Sequence, residues 1–190
     1  MSNQNKPVRK NRSYELLEYD ENWALEFEKL KVTLSDIYRD LAIDIQHIGS
    51  TSIPGMIAKP TIDVLVLTEH MGKVRDLYLT FESQGYMCWG DFVAEGEEYF
   101  TYDDTPGHRI YNVHTMPVGS EHAKSVIIFR DYMRTHPNQA EDYKDIKLKL
   151  RTKFGGDDYI RYNDEKAVLM QKLKDDSCAW AESVHHPSLN

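Results

Sequence analysis

Apolar residues recur along residues 21–41 at Trp23, Phe27, Leu30, Leu34, Ile37 and Leu41. Alternating steps of four and three keep them on one side of a 3.6-residue spiral, so the spacing predicts an amphipathic helix with Asp20 as its N-cap. The period then changes. Residues 42–48 read as a strand, and 61–67 as a second one that is nearly apolar on both faces, as expected inside a sheet. Val74, Leu77, Tyr78 and Phe81 mark another helix that Gly85 stops. Residues 86–93 and 98–102 read as strands about a Gly96 turn, and 109–116 as one more. The rest is helical in pattern: 121–135 capped by Ser120, 139–153 with Asn138 and Glu141 as a capping box, and a last helix from Asp157 to about Leu173. An N-terminal helix, a mixed β-sheet and a C-terminal helical layer make an α+β domain.

Composition narrows the function without deciding it. The chain has 190 residues, 41% hydrophobic and 28% charged, and suits one domain with a proper core. No repeat or low-complexity block divides it. The expected organisation is a flexible basic arm over 1–12, a single domain over 13–174 and a flexible tail over 175–190. No apolar run approaches the roughly 18 residues that a membrane span needs. The formal net charge of −8 argues against non-specific binding to nucleic acid or to an anionic membrane. Cys88 and Cys178 form neither a disulfide framework nor a metal-ligand spacing, which suits a reducing cytoplasm.

The candidate chemistry is concentrated in residues 47–66, HIGSTSIPGMIAKPTIDVLV. Gly49 lets an anion approach the main chain, and Ser50, Thr51 and Ser52 set three hydroxyls beside it. Asp63 interrupts an apolar strand, where a carboxylate must be solvated, paired or bound to a cation. An anion cradle followed by an acid is a common way to hold a nucleoside triphosphate with Mg²⁺. The plainer alternatives are an ordinary turn at Gly49-Ser50 and an Asp63 paired with Lys59 or an arginine. Lys59 suits either a phosphate contact or a solvated surface. Further along, Asn112 and His114 share one strand face, and His114 suits a metal ligand, a general base, a phosphate donor or a structural histidine. Arg130 suits either a bidentate phosphate clamp or an ion pair tying the C-terminal helices to the sheet. Tyr143, Tyr159 and Tyr162 read as packing residues rather than a stacking platform.

The same residues carry a family resemblance. HIGSTSIPGMIAKPTID, together with FRDYMRTHP at residues 129–137, closely resembles the signature of the GrpB family, whose fold belongs to the nucleotidyltransferase superfamily. The resemblance spans roughly residues 13–173 and includes His114, Tyr143, Lys147, Tyr159 and Lys166. It implies a nucleotidyltransferase-like fold, with Gly49, Ser50 and Thr51 on the phosphates, Asp63 on Mg²⁺, His114 completing the site, and Lys59 or Arg130 neutralising charge. The superfamily pattern places a second acid two residues after the first, and here that position is Leu65. Further metal ligands would come from elsewhere in the chain, with Glu97, Glu98, Asp103 and Asp104 as candidates among which the sequence does not choose. Three functions therefore stand: nucleotidyl transfer from a nucleoside triphosphate to an unknown acceptor, a non-catalytic nucleotide- or phosphate-binding module, or a hydrolase or transferase using His114 and Asp63 without a nucleotide. Segments resembling this family also occur fused behind dephospho-CoA kinase, where a supporting role suits the second.

Overall fold

The computed structural model describes residues 14–189; the expected basic arm over 1–12 lies outside them. Helix α1 (Asn22–Tyr38) opens the fold, and the Asp20 carboxylate accepts from the Asn22 backbone N–H at 2.9 Å. Its apolar stripe, Trp23, Phe27, Leu30, Leu34 and Ile37, is buried as the spacing predicts. Strands β1 (Asp44–Ile48), β2 (Ile62–Thr68), β3 (Met87–Gly90), β4 (Glu98–Thr105) and β5 (His108–Pro117) form one sheet in the order β1-β2-β5-β4-β3. Only β2 and β5 run parallel, so the sheet is mixed, and β2 is interior.

Strand alternation gives this sheet two unlike faces. One presents Ile45, Ile62, Val64, Val66, Phe100 and Val113 to α1 and to helix α3 (Tyr78–Ser83), forming the main core. The other presents Ile48, Leu65 and Met116 to helix α4 (Glu121–Thr135) and carries Asp63, Asn112 and His114 farther along the strands. Helices α5 (Pro137–Phe154), α6 (Tyr159–Leu169) and α7 (Gln171–Ser183) complete the C-terminal layer.

Several local expectations shift. The helix ending at Gly85 is broken, with a short α2 (Met71–Val74), a 3₁₀ turn over Arg75–Leu77 and then α3. Strand β3 stops at Gly90, well short of Val93. The Asn138–Glu141 capping box does not form, because the helix starts at Pro137, whose fixed φ suits the first turn. Asp158 rather than Asp157 caps α6. Chain beyond Asp175 is not a tail: α7 runs to Ser183 and buries Leu173, Ser177 and Ala181, with Trp180 against Tyr132 of α4. Among the described residues no helix is long and apolar enough to cross a membrane.

Candidate functional site

β1 ends at Ile48, directly opposite Asp63 on β2, and the chain leaves it through Gly49 at φ +69°. A side chain cannot fit there: a Cβ at position 49 would overlap Asp63 Oδ2 and stand 2.9 Å from Asp63 Cβ. Glycine is thus required twice, for its left-handed backbone and for its close approach to the carboxylate. The Ser50–Ser52 turn that follows is braced from within and from outside. Ser52 Oγ donates to the Gly49 carbonyl at 2.6 Å, and Thr51 Oγ1 meets His47 Nε2 at 2.9 Å. Ser50 Oγ reaches outward to the Tyr143 hydroxyl at 3.1 Å.

Arg130 and Arg134, one turn apart on α4, grip the two ends of this turn. Arg130 donates to the His47 carbonyl at 3.1 Å and to Gln46 at 2.8 Å, and pairs with Asp131 at 2.7 Å. Arg134 donates twice to the Ser52 carbonyl, at 2.9 and 2.7 Å. The Arg130 guanidinium is therefore built into the support of the turn, tied to the sheet by hydrogen bonds to Gln46 and His47, while its ion pair is with its own neighbour Asp131 on α4. His47 is likewise structural in its contacts, stacked on Phe27 at 4.8 Å with its pKa lowered to about 4 by burial.

Asp63, Gly49, Ser50, Thr51, Lys59 and His114 do come together. Ser50, Thr51, Lys59, Asp63 and His114 line a cavity of ≈ 380 Å³ shared with Lys147, Lys166 and Asn112. Asp63 Oδ1 accepts from Asn112 Nδ2 at 2.7 Å, and the Tyr99 hydroxyl donates to Asn112 Oδ1 at 2.7 Å, fixing that amide. His114 sits opposite Tyr99 with its ring 4.8 Å away; burial lowers its pKa, and its Nδ1 is buried without a partner.

Three lysines face the one carboxylate. Lys59 donates to the Tyr159 hydroxyl at 2.9 Å, and burial lowers its pKa to about 8. Lys147 is only 2% exposed, donates to the Ile57 carbonyl at 2.6 Å, and is pushed well below the usual lysine range by burial and then by Lys166 and Lys59. Among the described residues neither lysine forms an ion pair with Asp63, whose carboxylate accepts instead from Asn112.

The acids considered as further metal ligands are engaged elsewhere. Glu98 lies on the opposite face with Arg75 at 2.7 Å, Glu97 is bonded to His122, Asp103 to Arg109 and Asp104 to His108. Among the described residues no three His, Cys, Asp or Glu side chains converge on one point. The donor set does not fit a two-ion centre, which needs anionic ligands for each cation.

Asn112 and Tyr99 acquire roles that sequence reasoning did not give them, whereas Lys147 and Lys166, both part of the family resemblance, were candidates for lining a phosphate pocket and do line this cavity. Lys147 had a readable signal: with Tyr143 and Leu150 it occupies the buried stripe of α5, at steps of four and three. The Tyr99–His114 register has no counterpart in local sequence.

A model of the GrpB protein family matches residues 13–176. The UPF0157 protein YqkA of Bacillus subtilis is 32% identical over 170 residues, covering 85% of this chain; the chain spans 49% of YqkA. The crystal structure of GrpB from Enterococcus faecalis aligns with a TM-score of 0.80 at 30% identity, covering 86% of this chain and 96% of that one. A crystal structure of the Cid1 poly(U) polymerase aligns with a TM-score of 0.50 at 12% identity, over 72% of this chain and 44% of the polymerase. That last likeness is one of fold.

Proposed function

The chain belongs to the GrpB family, and on that premise we propose that it is a non-catalytic module that binds the phosphates of a nucleotide or another phosphate-bearing small molecule. One observation carries this reading: the cavity beside the Gly49 turn sets Lys59, Lys147 and Lys166 against a single acid, Asp63. Such a chamber has an excess of positive charge in a partly desolvated setting, where each ammonium–phosphate contact is stronger than in water. Ser50 and Asn112 add hydrogen-bonding groups, and Gly49 keeps the main chain open to close approach. Burial lowers the pKa of both Lys59 and Lys147, and an arriving phosphate would favour their charged forms.

Nucleotidyl transfer, a second reading, asks Asp63 to anchor Mg²⁺ almost alone, with Leu65 in the second acid position. The two readings differ in the sign of one substitution. Thermal shift with a nucleoside triphosphate, with and without Mg²⁺, on wild type and Asp63→Asn separates them. The module predicts stabilisation without Mg²⁺ that persists or grows in Asp63→Asn, because the one negative charge facing the phosphates is gone. Stabilisation that needs Mg²⁺ and vanishes in Asp63→Asn would restore the transfer reading. No shift in any condition would remove the phosphate site.

A further inference from the structure

The Gly49–Ser52 turn borders a second cavity of ≈ 310 Å³ on the α4 side. Ser50, Asp63 and His114 line both cavities, so a molecule lying across these three residues would have one end in each. The two chambers differ sharply in chemistry. The first offers lysine ammonium groups, hydroxyls and the Asn112 amide. The second is walled by Ile53, Met116, Val126, Phe129 and Met170. Its polar groups are in good part already engaged: Arg130 holds the turn, His122 is bonded to Glu97, Asp63 to Asn112 and Ser50 to Tyr143, leaving Ser125, Lys174 and, at the junction of the two chambers, His114.

We infer that the bound molecule is a phosphate ester or anhydride with a compact apolar body, its phosphates among the lysines and its hydrocarbon or aryl part between Ile53, Met116 and Phe129. This rests on the phosphate-binding reading and names the ligand class for it. A sugar or a charged body would be stripped of water in the second chamber with too few partners to replace it. An apolar body gains by leaving water. The volume lies at the small end of the ~300–1,000 Å³ typical of ligand pockets, which suits a single ring or a short branched chain. Met116 and Met170 are flexible enough to adapt to its outline. Phe129 stands edge-on to Tyr143 at 5.6 Å, and Tyr143 bonds Ser50, so the apolar wall is tied to the phosphate turn.

Isothermal titration of the wild-type chain with inorganic pyrophosphate, dimethylallyl diphosphate and ADP tests this directly. The expected result is dimethylallyl diphosphate binding at least tenfold more tightly than pyrophosphate and more tightly than ADP, with Val126→Gln reducing the first preference. Equal affinity for all three, or tighter binding of ADP, overturns the apolar-body inference and leaves the phosphate site standing. Binding of none of the three overturns both. Should Val126→Gln fail to fold, the wild-type ratios alone decide.

Discussion

The two faces of the sheet are built from the same strands and obey opposite rules. Toward α1 and α3, Val64, Val66, Phe100 and Val113 are completely buried, and Phe81 stacks on Phe100 at 4.0 Å. Toward α5 and α6, the same β2 and β5 present Asp63, Asn112 and His114 to a cavity, where the acid's neighbour is an amide rather than a cation. The apolar face is filled to close packing and supplies stability. The polar face leaves space, concentrates like charges and keeps a histidine nitrogen without a partner. Alternation lets one face support the other, since a strand anchored through Ile62 and Val64 can hold Asp63 between them on the opposite side.

Substitutions on each side should therefore separate stability from binding. The largest effect is expected at Phe100→Ala, which empties the centre of the apolar face and should cost about 3–5 kcal/mol in urea unfolding. Pyrophosphate affinity of the folded fraction should stay near the wild-type value; a parallel loss of affinity would show that the faces are not independent. Gly49→Ala comes next. Its forbidden backbone angle and its overlap with Asp63 should cost about 1–3 kcal/mol and also abolish measurable phosphate binding. Full binding in that variant would move the phosphate site away from the turn.

Lys147→Met should reverse the pattern seen for Phe100. Relief of a buried ammonium offsets the lost bond to Ile57, so stability should change by only about 1 kcal/mol while pyrophosphate affinity falls about tenfold. The smallest effects are in pH dependence, read through one base on each face. Lys59 has its pKa lowered from 10.5 to about 8 in the folded chain, so the unfolded chain binds more protons between those values. Stability should rise with pH across that window, and Lys59→Met should flatten the rise. For His47, lowered from 6.5 to about 4, stability should fall as pH drops through that interval, and His47→Gln should blunt the loss. Urea denaturation at a series of pH values reads both slopes.

Local pattern went far in this chain. The stripe of α1, the interior position of β2, the Ser120 cap and the Gly49–Asp63 pairing of turn and acid are all visible as spacing or residue type. The stripe and the cap are legible because they depend on neighbours within a few positions, and β2 and the Gly49–Asp63 segment because residue type alone marks them. Failures cluster where another local signal or a longer-range contact competes. Pro137 displaced the Asn138 capping box, and residues 175–183 became a helix because their small and apolar positions meet α4. Arg130 suited either phosphate or protein by residue type, with the structural tie slightly favoured, and it is the carbonyl of His47, far away in the chain, that lies beside it.

By itself the sequence determined the period of most elements, the glycine whose backbone freedom the turn uses, and the family; that Asp63 crowds this glycine is a tertiary fact. Tertiary structure decided which charges meet. Lys59, Lys147 and Lys166 converge on Asp63 from three different segments, while the acids that might have joined it are turned to Arg75, His122, Arg109 and His108. The reason is physical. Periodicity is a property of consecutive residues, whereas a site's net charge depends on strand register and helix docking, which bring together residues that no local window contains.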